Sequence, residues 1–237
     1  MKILAVDTST VVASVAIMED TNLLCEYLLN HKKTHSQKLI PMIHEVLKNM
    51  EMKLEDIDLF ATTIGPGSFT GLRIGVTSIK AMAYALNRPV KGVITLDVLA
   101  FNIPFCDAVI CPIIDARNNQ VYSALYQWKE GKQERLTDYM GIDIGELIKM
   151  IKETDRNVFI LGDGVNVHKD ELSRELKGRC LFPPNNLLLQ KASSLAEIAM
   201  REFNELNKSD EPDKLLPFYL RKSQAERLYM GREHSSM

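Results

Sequence analysis

The sequence predicts an α/β protein built by internal duplication, and three observations carry that reading. An apolar, β-branched run over residues 57–64 ends in Gly65-Pro66-Gly67 and feeds directly into a long helix, the arrangement of a buried strand, a tight turn and a crossover. Residues 2–101 read in the order β-β-β-α-β-α-β-α, which implies parallel connections around a sheet that begins with a hairpin. From about residue 105 the chain opens again with a strand, an aspartate turn and two further strands.

Taken in order, residues 2–7, 11–18 and 23–29 are strands separated by Asp7-Thr8-Ser9-Thr10 and by the short polar turn Glu19-Asp20-Thr21-Asn22. A hydroxyl-rich turn after a strand can cradle phosphate, with the aspartate holding a magnesium-bound water. Such a turn also commonly does no more than satisfy its own backbone. His31 and His35 are four apart, yet no acidic or cysteine third ligand stands nearby, so they read as a solvated loop histidine and a first-turn histidine rather than a zinc pair. Thr34 or Ser36 is the cap. Residues 36–50 then carry Leu39, Ile40, Ile43, Val46, Leu47 and Met50 at helical spacing, with Pro41 near the end of the first turn, where its missing N–H costs less.

After strand 57–64, Pro66 and Gly67 suit the two central positions of a type II turn, and Ser68 is a natural N-cap for a helix reaching Leu86. Winding that helix gives two adjacent soft stripes. Leu72, Val76, Ile79, Ala83 and Leu86 form one; Gly71, Gly75, Ser78, Met82 and Ala85 form the other, leaving Arg73, Thr77, Lys80 and Tyr84 as the polar strip. Helices on a sheet need roughly 100° of apolar surface, and this one has about twice that, so it is expected to touch both the sheet and a second helix. Residues 90–95 are a strand and 96–101 a short helix. In the second unit, 108–114, 120–127 and 134–139 are strands, followed by helix 142–151, strand 158–161, turn Gly162-Asp163-Gly164 and helices near 167–176 and 192–204. Residues 207–214 are a polar connection before a partly basic tail.

Bulk properties narrow the functional classes. With 237 residues, 46% hydrophobic content and a net charge of −2, the chain can bury a large core and advertises no nucleic-acid surface of its own. The apolar run before Asp7 is too short for a signal peptide or a membrane span, which predicts a cytoplasmic protein with no membrane contact. Cys25, Cys106, Cys111 and Cys180 lack C-x-x-C spacing and read as reduced, packed thiols.

The turns at Asp7-Thr8-Ser9-Thr10, Ile114-Asp115-Ala116-Arg117 and Leu161-Gly162-Asp163-Gly164 resemble, in order and spacing, the two phosphate loops and the adenosine loop of the superfamily containing actin, sugar kinases and the heat-shock ATPase. More specifically, residues 64–75 resemble the signature of the TsaB (YeaZ) family of bacterial tRNA threonylcarbamoyladenosine biosynthesis proteins. Leu4-Ala5-Val6-Asp7-Thr8-Ser9, His35-Ser36-Gln37, Asp115-Ala116-Arg117 and Leu216-Pro217-Phe218-Tyr219-Leu220-Arg221 fit it as well, so the likeness spans nearly the whole chain.

That resemblance implies a two-lobed, actin-like (ribonuclease H-like) fold with mixed five-stranded sheets: lobes at 1–104 and 105–207 and a C-terminal segment, 208–237, that is mobile in part. It implies a supporting role in adding threonylcarbamoyl to the adenosine 3′ of the tRNA anticodon, beside the catalytic paralogue TsaD and the ATPase TsaE, with tRNA met through the complex. No catalytic residue and no cofactor of its own is expected; ATP and metal belong to the partner subunits. TsaD binds its metal through a His-x-x-x-His pair after the strand that follows the central helix, whereas residues 93–100 here contain no histidine. Nucleotide contacts would fall to Asp7, Thr8, Ser9, Asp115, Gly162 and Gly164. The cleft reads as vestigial, because superfamily ATPases usually place glycine soon after the second aspartate and this chain has Ala116, Arg117, Asn118 and Asn119. Leu39, Ile43, Val46 and Leu47 with Gly71, Gly75, Ser78, Met82 and Ala85 are the expected interface, to TsaD in a heterodimer or to a second copy when TsaD is absent. The competing reading is an ATP-dependent kinase or ATPase of the same superfamily, which would need an intact cradle and a general base. A metalloprotease is excluded by the lack of H-E-x-x-H, and a Walker loop by Leu72-Arg73 where Lys and Ser/Thr are required.

Overall fold

The computed structural model describes residues 1–31, 35–206 and 209–221. The first sheet holds β1 (Lys2–Asp7), β2 (Val12–Glu19), β3 (Asn22–Asn30), β4 (Leu59–Gly65) and β5 (Val90–Ile94) in the order β3-β2-β1-β4-β5. β1, β2 and β3 run antiparallel to their neighbours, while β1, β4 and β5 are parallel, with Ala5 facing Ala16 on one side and Ala61 on the other. Alternation along β1 sorts its residues between two cores. Leu4 and Val6 pack beneath α1 (His35–Asn49) and α2 (Phe69–Ala85); Ile3 and Ala5 face the opposite layer.

The second sheet repeats this plan. It is built from β6 (Val109–Asp115), β7 (Gln120–Ser123), β10 (Met140–Asp143), β11 (Val158–Leu161) and β12 (Cys180–Leu181) in the order β10-β7-β6-β11-β12, again with antiparallel pairs on one side of the central strand and parallel pairs on the other. α4 (Ile144–Glu153) and α5 (Val165–Leu176) cover one face. A hairpin of β8 (Tyr126–Lys129) and β9 (Lys132–Arg135) is the addition that makes the second unit differ from the first.

Several expectations are corrected in detail. The strand expected over 120–127 is broken between Ser123 and Tyr126, although Ile113↔Ser123 and Ile110↔Tyr126 keep one register. The gap lies opposite Pro112, which has no N–H to give to the ladder. Of the strand expected over 134–139 only Glu134 and Arg135 are extended, as the end of β9, and 136–139 connect it to β10; α4 starts two residues late because Asp143 caps it, accepting from Gly145 N at 2.8 Å. Around Gly65-Pro66-Gly67 the type II turn does not form. Gly65, not Gly67, takes the positive φ (+126°), and the peptide between Gly65 and Pro66 is cis. Packing overrides local turn preference here, since a Cβ on Gly67 would lie 2.2 Å from the Ser9 carbonyl oxygen.

The helices that close each unit both reach the other. α3 (Thr95–Ala100), last in the first unit, is shared between the units, with Val98 in the first-sheet core and Leu96, Leu99 and Ala100 among Ile110, Ile114 and Tyr126 of the second. α6 (Ala192–Leu206), which chain order assigns to a second lobe ending at 207, instead buries Leu195, Ala196 and Ala199 against Ile3, Ala5 and Leu59 of the first sheet. Residues 209–221 also return to the first sheet, where Asp210 N donates to the Val90 carbonyl and Leu215 is buried beside α2. The end of the tail expected to be mobile lies outside the described residues.

Candidate functional site

The loop from β1 to β2 is closed from within. Thr8, Ser9 and Thr10 are at most 5% exposed, and each hydroxyl has an internal partner. Thr8 Oγ1 donates to the Gly71 carbonyl (2.8 Å), Ser9 Oγ to Asp7 Oδ1 (2.7 Å) and Thr10 Oγ1 to Gln190 Oε1 (3.1 Å). Gln190 Nε2 donates back to Ser9 Oγ at 3.3 Å, and His35 Nε2 meets the Thr10 carbonyl at 2.7 Å. The donors a phosphate would need are therefore engaged by the chain itself. Asp7 is fully buried. Its Oδ2 and the Thr63 hydroxyl make no well-formed hydrogen bond, and burial pushes its carboxyl above the usual range against the pull of the Ser9 hydroxyl and amide and, more weakly, of the Thr63 hydroxyl.

Glycines of α2 hold the helix against this loop. A Cβ on Gly71 would stand 2.0 Å from the Thr8 carbonyl oxygen, and one on Gly75 would stand 2.4 Å from Thr8 Oγ1. Ser68 caps the helix as expected, accepting from Gly71 N, while its own N–H reaches the Ser9 carbonyl at 2.6 Å.

The second loop is open and differently built. Asp115 is exposed, its Oδ1 accepts from Arg117 N (2.8 Å), and its N–H donates to Asp163 Oδ1 (3.1 Å). Arg117, Asn118 and Asn119 all sit at positive φ (62°, 53° and 60°), the conformation glycine would take at least cost. The third turn folds back on β6: Gly164 N donates to the Ile113 carbonyl, and a Cβ on Gly162 would lie 2.1 Å from that oxygen. Gly162 and Gly164 thus give close approach to the chain's own backbone. Burial, with the Asp115 charge adding to it against the Asp115 N–H, pushes the Asp163 carboxyl up to about 6.

The expected interface residues divide. Leu39, Ile43, Val46 and Leu47 are buried on the inner side of α1, Ile43 and Leu47 also lining a surface groove, while Gly71 and Gly75 are covered by Thr8. The N-terminal half of the second soft stripe of α2, Gly71 and Gly75, meets a loop rather than a helix. Ser78 and Met82 are partly exposed and Ala85 is exposed. With Ile40, 51% exposed, Met82 borders an apolar groove of about 500 Å³ between the helices, lined also by His44, Met52 and Leu54.

Other groups carry contacts that no one-dimensional pattern signals. Gln190 sits in a linker, and only the fold brings it to Ser9. Asp97 of α3 accepts from Tyr126 Oη (2.6 Å) and Tyr139 Oη (2.8 Å) of the second unit, and Gln133 Nε2 donates to the Asp97 carbonyl. Residues 93–100 around Asp97 contain no histidine. Among the described residues no group of three or more His, Cys, Asp or Glu side chains could hold a metal ion. His31 is exposed and outside α1, and residues 32–34, with the Thr34 cap, lie outside the described residues. No helix of the described residues is long and apolar enough to cross a membrane.

A family model described as "TsaD: tRNA N6-adenosine threonylcarbamoyltransferase" matches residues 22–229. The tRNA threonylcarbamoyladenosine biosynthesis protein TsaB of Bacillus subtilis (strain 168) is 34% identical over 226 residues, covering 95% of this chain and 96% of that one. YeaZ from Pseudomonas aeruginosa superposes with a TM-score of 0.76 at 26% identity, over 92% of this chain and 100% of that chain. The activator of 2-hydroxyisocaproyl-CoA dehydratase from Clostridium difficile, solved with ADPNP, has a TM-score of 0.50 at 13% identity over 87% of this chain and 97% of that one, a likeness of fold alone. The fold is that of the actin-like ATPases.

Proposed function

Since the chain belongs to the TsaB family and acts in tRNA threonylcarbamoyladenosine biosynthesis, we propose that it does so as a noncatalytic cytoplasmic subunit, a pseudo-ATPase that scaffolds TsaD and TsaE. The observation that carries this is the closed first loop, where Gln190 and Gly71 hold the hydroxyls that a working nucleotide cradle would turn toward phosphate. Residues 93–100 support it from the other side, because Asp97 is held by two tyrosines and no imidazole stands there.

The partner surface is the outer face of the α1–α2 pair: Ile40, Ser78, Met82 and Ala85 lie over a floor of Leu39, Ile43, Val46 and Leu47. TsaD, sharing the fold, takes the place that a second copy takes in a homodimer, by a pseudo-twofold arrangement. Reconstitution tests the reading. With TsaD, TsaE, tRNA, ATP and threonylcarbamoyl-adenylate present, modification is expected to require this chain; equal modification without it would overturn the proposal.

A further inference from the structure

Residues 209–221 run along α2 and then leave it for the second unit. Lys80 Nζ donates to the Asp213 and Leu215 carbonyls, Arg73 Nε to Tyr219 Oη at 3.1 Å, and Phe218 N to the Ile64 carbonyl at 2.7 Å. Tyr219 stacks on Phe69 in the first turn of α2, with ring centroids 4.0 Å apart and planes 2° from parallel. Phe218, the adjacent residue, makes an edge contact with Tyr139 at 5.8 Å, and Tyr139 is one of the two phenols on Asp97. Arg135 lies over the Tyr139 ring at 3.8 Å.

A continuous set of contacts therefore joins Asp97 in α3 to Tyr139, to Phe218-Tyr219 and to Phe69 at the start of α2. Beside it the two units leave a cavity of about 530 Å³ between α3, the β8–β9 hairpin and α6, so they are not packed flush where the Asp97 contacts hold them. We propose that the 209–221 strap transmits the relative position of the two lobes to the first turns of α2, so that the state of the Asp97–Tyr126–Tyr139 latch sets the order of the proposed partner-binding helix. The device links an interlobe contact to a surface on the far side of the strap through two adjacent aromatic residues.

Hydrogen exchange on the isolated full chain tests the coupling. Its failure is thus separable from failure of the partner reading, on which only the functional consequence rests. Asp97→Asn is expected to speed exchange of the 69–75 amides by about 5- to 150-fold, the ordinary span of coupling between sites. Phe218→Ala is expected to do the same, and Asp97→Asn added to it to change those amides no further. Should Asp97→Asn disrupt folding, Tyr139→Phe removes one phenol donor while keeping the ring that Phe218 touches, and is expected to act in the same direction. Unchanged exchange at 69–75 in Asp97→Asn or Tyr139→Phe, or effects that simply add to those of Phe218→Ala, would overturn the proposal.

Discussion

The hydroxyl of Thr8 donates to the carbonyl of Gly71 across 2.8 Å, tying the first turn of α2 to the loop between β1 and β2. Gly71 and Gly75 are small because the loop lies against them, which changes what substitution there should do.

Gly71→Ala is expected to cost about 3 kcal/mol or more, the range of overpacking against a backbone that cannot yield. Urea unfolding of the variant reads this as a lowered midpoint. Gly75→Arg, which a helix–helix reading would have used to separate subunits, is expected to unfold the first lobe. A midpoint like that of the wild type in either variant would show that α2 can withdraw from the loop.

Self-association is better probed at Ser78 and Ala85, which no buried group fills. Ser78→Glu and Ala85→Arg should leave the melting temperature nearly unchanged while weakening the proposed dimer at least about tenfold, or about 1.4 kcal/mol, by placing a charge in an apolar contact. Light scattering across a concentration series separates the outcomes. Wild-type association of both variants would move the interface elsewhere.

ATP turnover by the isolated chain should fall below about 1 s⁻¹, under the ordinary range of enzymes. A coupled phosphate-release assay at saturating ATP and magnesium decides it, and faster steady turnover would favour the kinase-like reading.

Asp163 gives a pH test with a definite sign. Its carboxyl is raised from 3.8 to about 6 in the folded chain, so its contribution to stability is fully present below pH 3.8 and is lost as pH rises to about 6. The loss is on the order of 2–3 kcal/mol. Asp163→Asn, whose side-chain oxygen can still accept from Asp115 N, should flatten that part of the stability profile. Asp7 and Asp97, both raised by burial, keep a residual slope of the same sign. An unchanged profile in the variant would place the titration elsewhere.

Much of the scaffold was legible because it is written in local periods. Turn residues bounded the apolar runs of β1–β3, Ser68 announced a helix start, and the repeated strand-aspartate-strand opening exposed the duplication. Periodicity reports that Leu39, Ile43 and Gly75 are covered without saying by what, and for each the cover is the chain's own core or loop. Gly65 took the strained position expected at Gly67 because contact with Ser9, distant in sequence, outweighs turn preference. Gln190, Asp97 and Tyr139 gain meaning only when sheets assemble, and no spacing rule joins residues that far apart. The aromatic pair Phe218-Tyr219 was visible in a matching motif, but its place on Phe69 was not.

The crossing of α3 and α6 has a consequence for how the halves can exist apart. α6 belongs to the first sheet's core, and α3 is shared, with Val98 in that core and Leu96 and Leu99 against the second unit, so a covalent link joins two halves that each use part of the other. A break between residues 104 and 105 would leave α6 on the fragment without the first sheet, and would part the side of α3 that carries Leu96 and Leu99 from Ile110 and Ile114. Each fragment would keep the face covered by its own helices and bare the other face of its sheet until the two met.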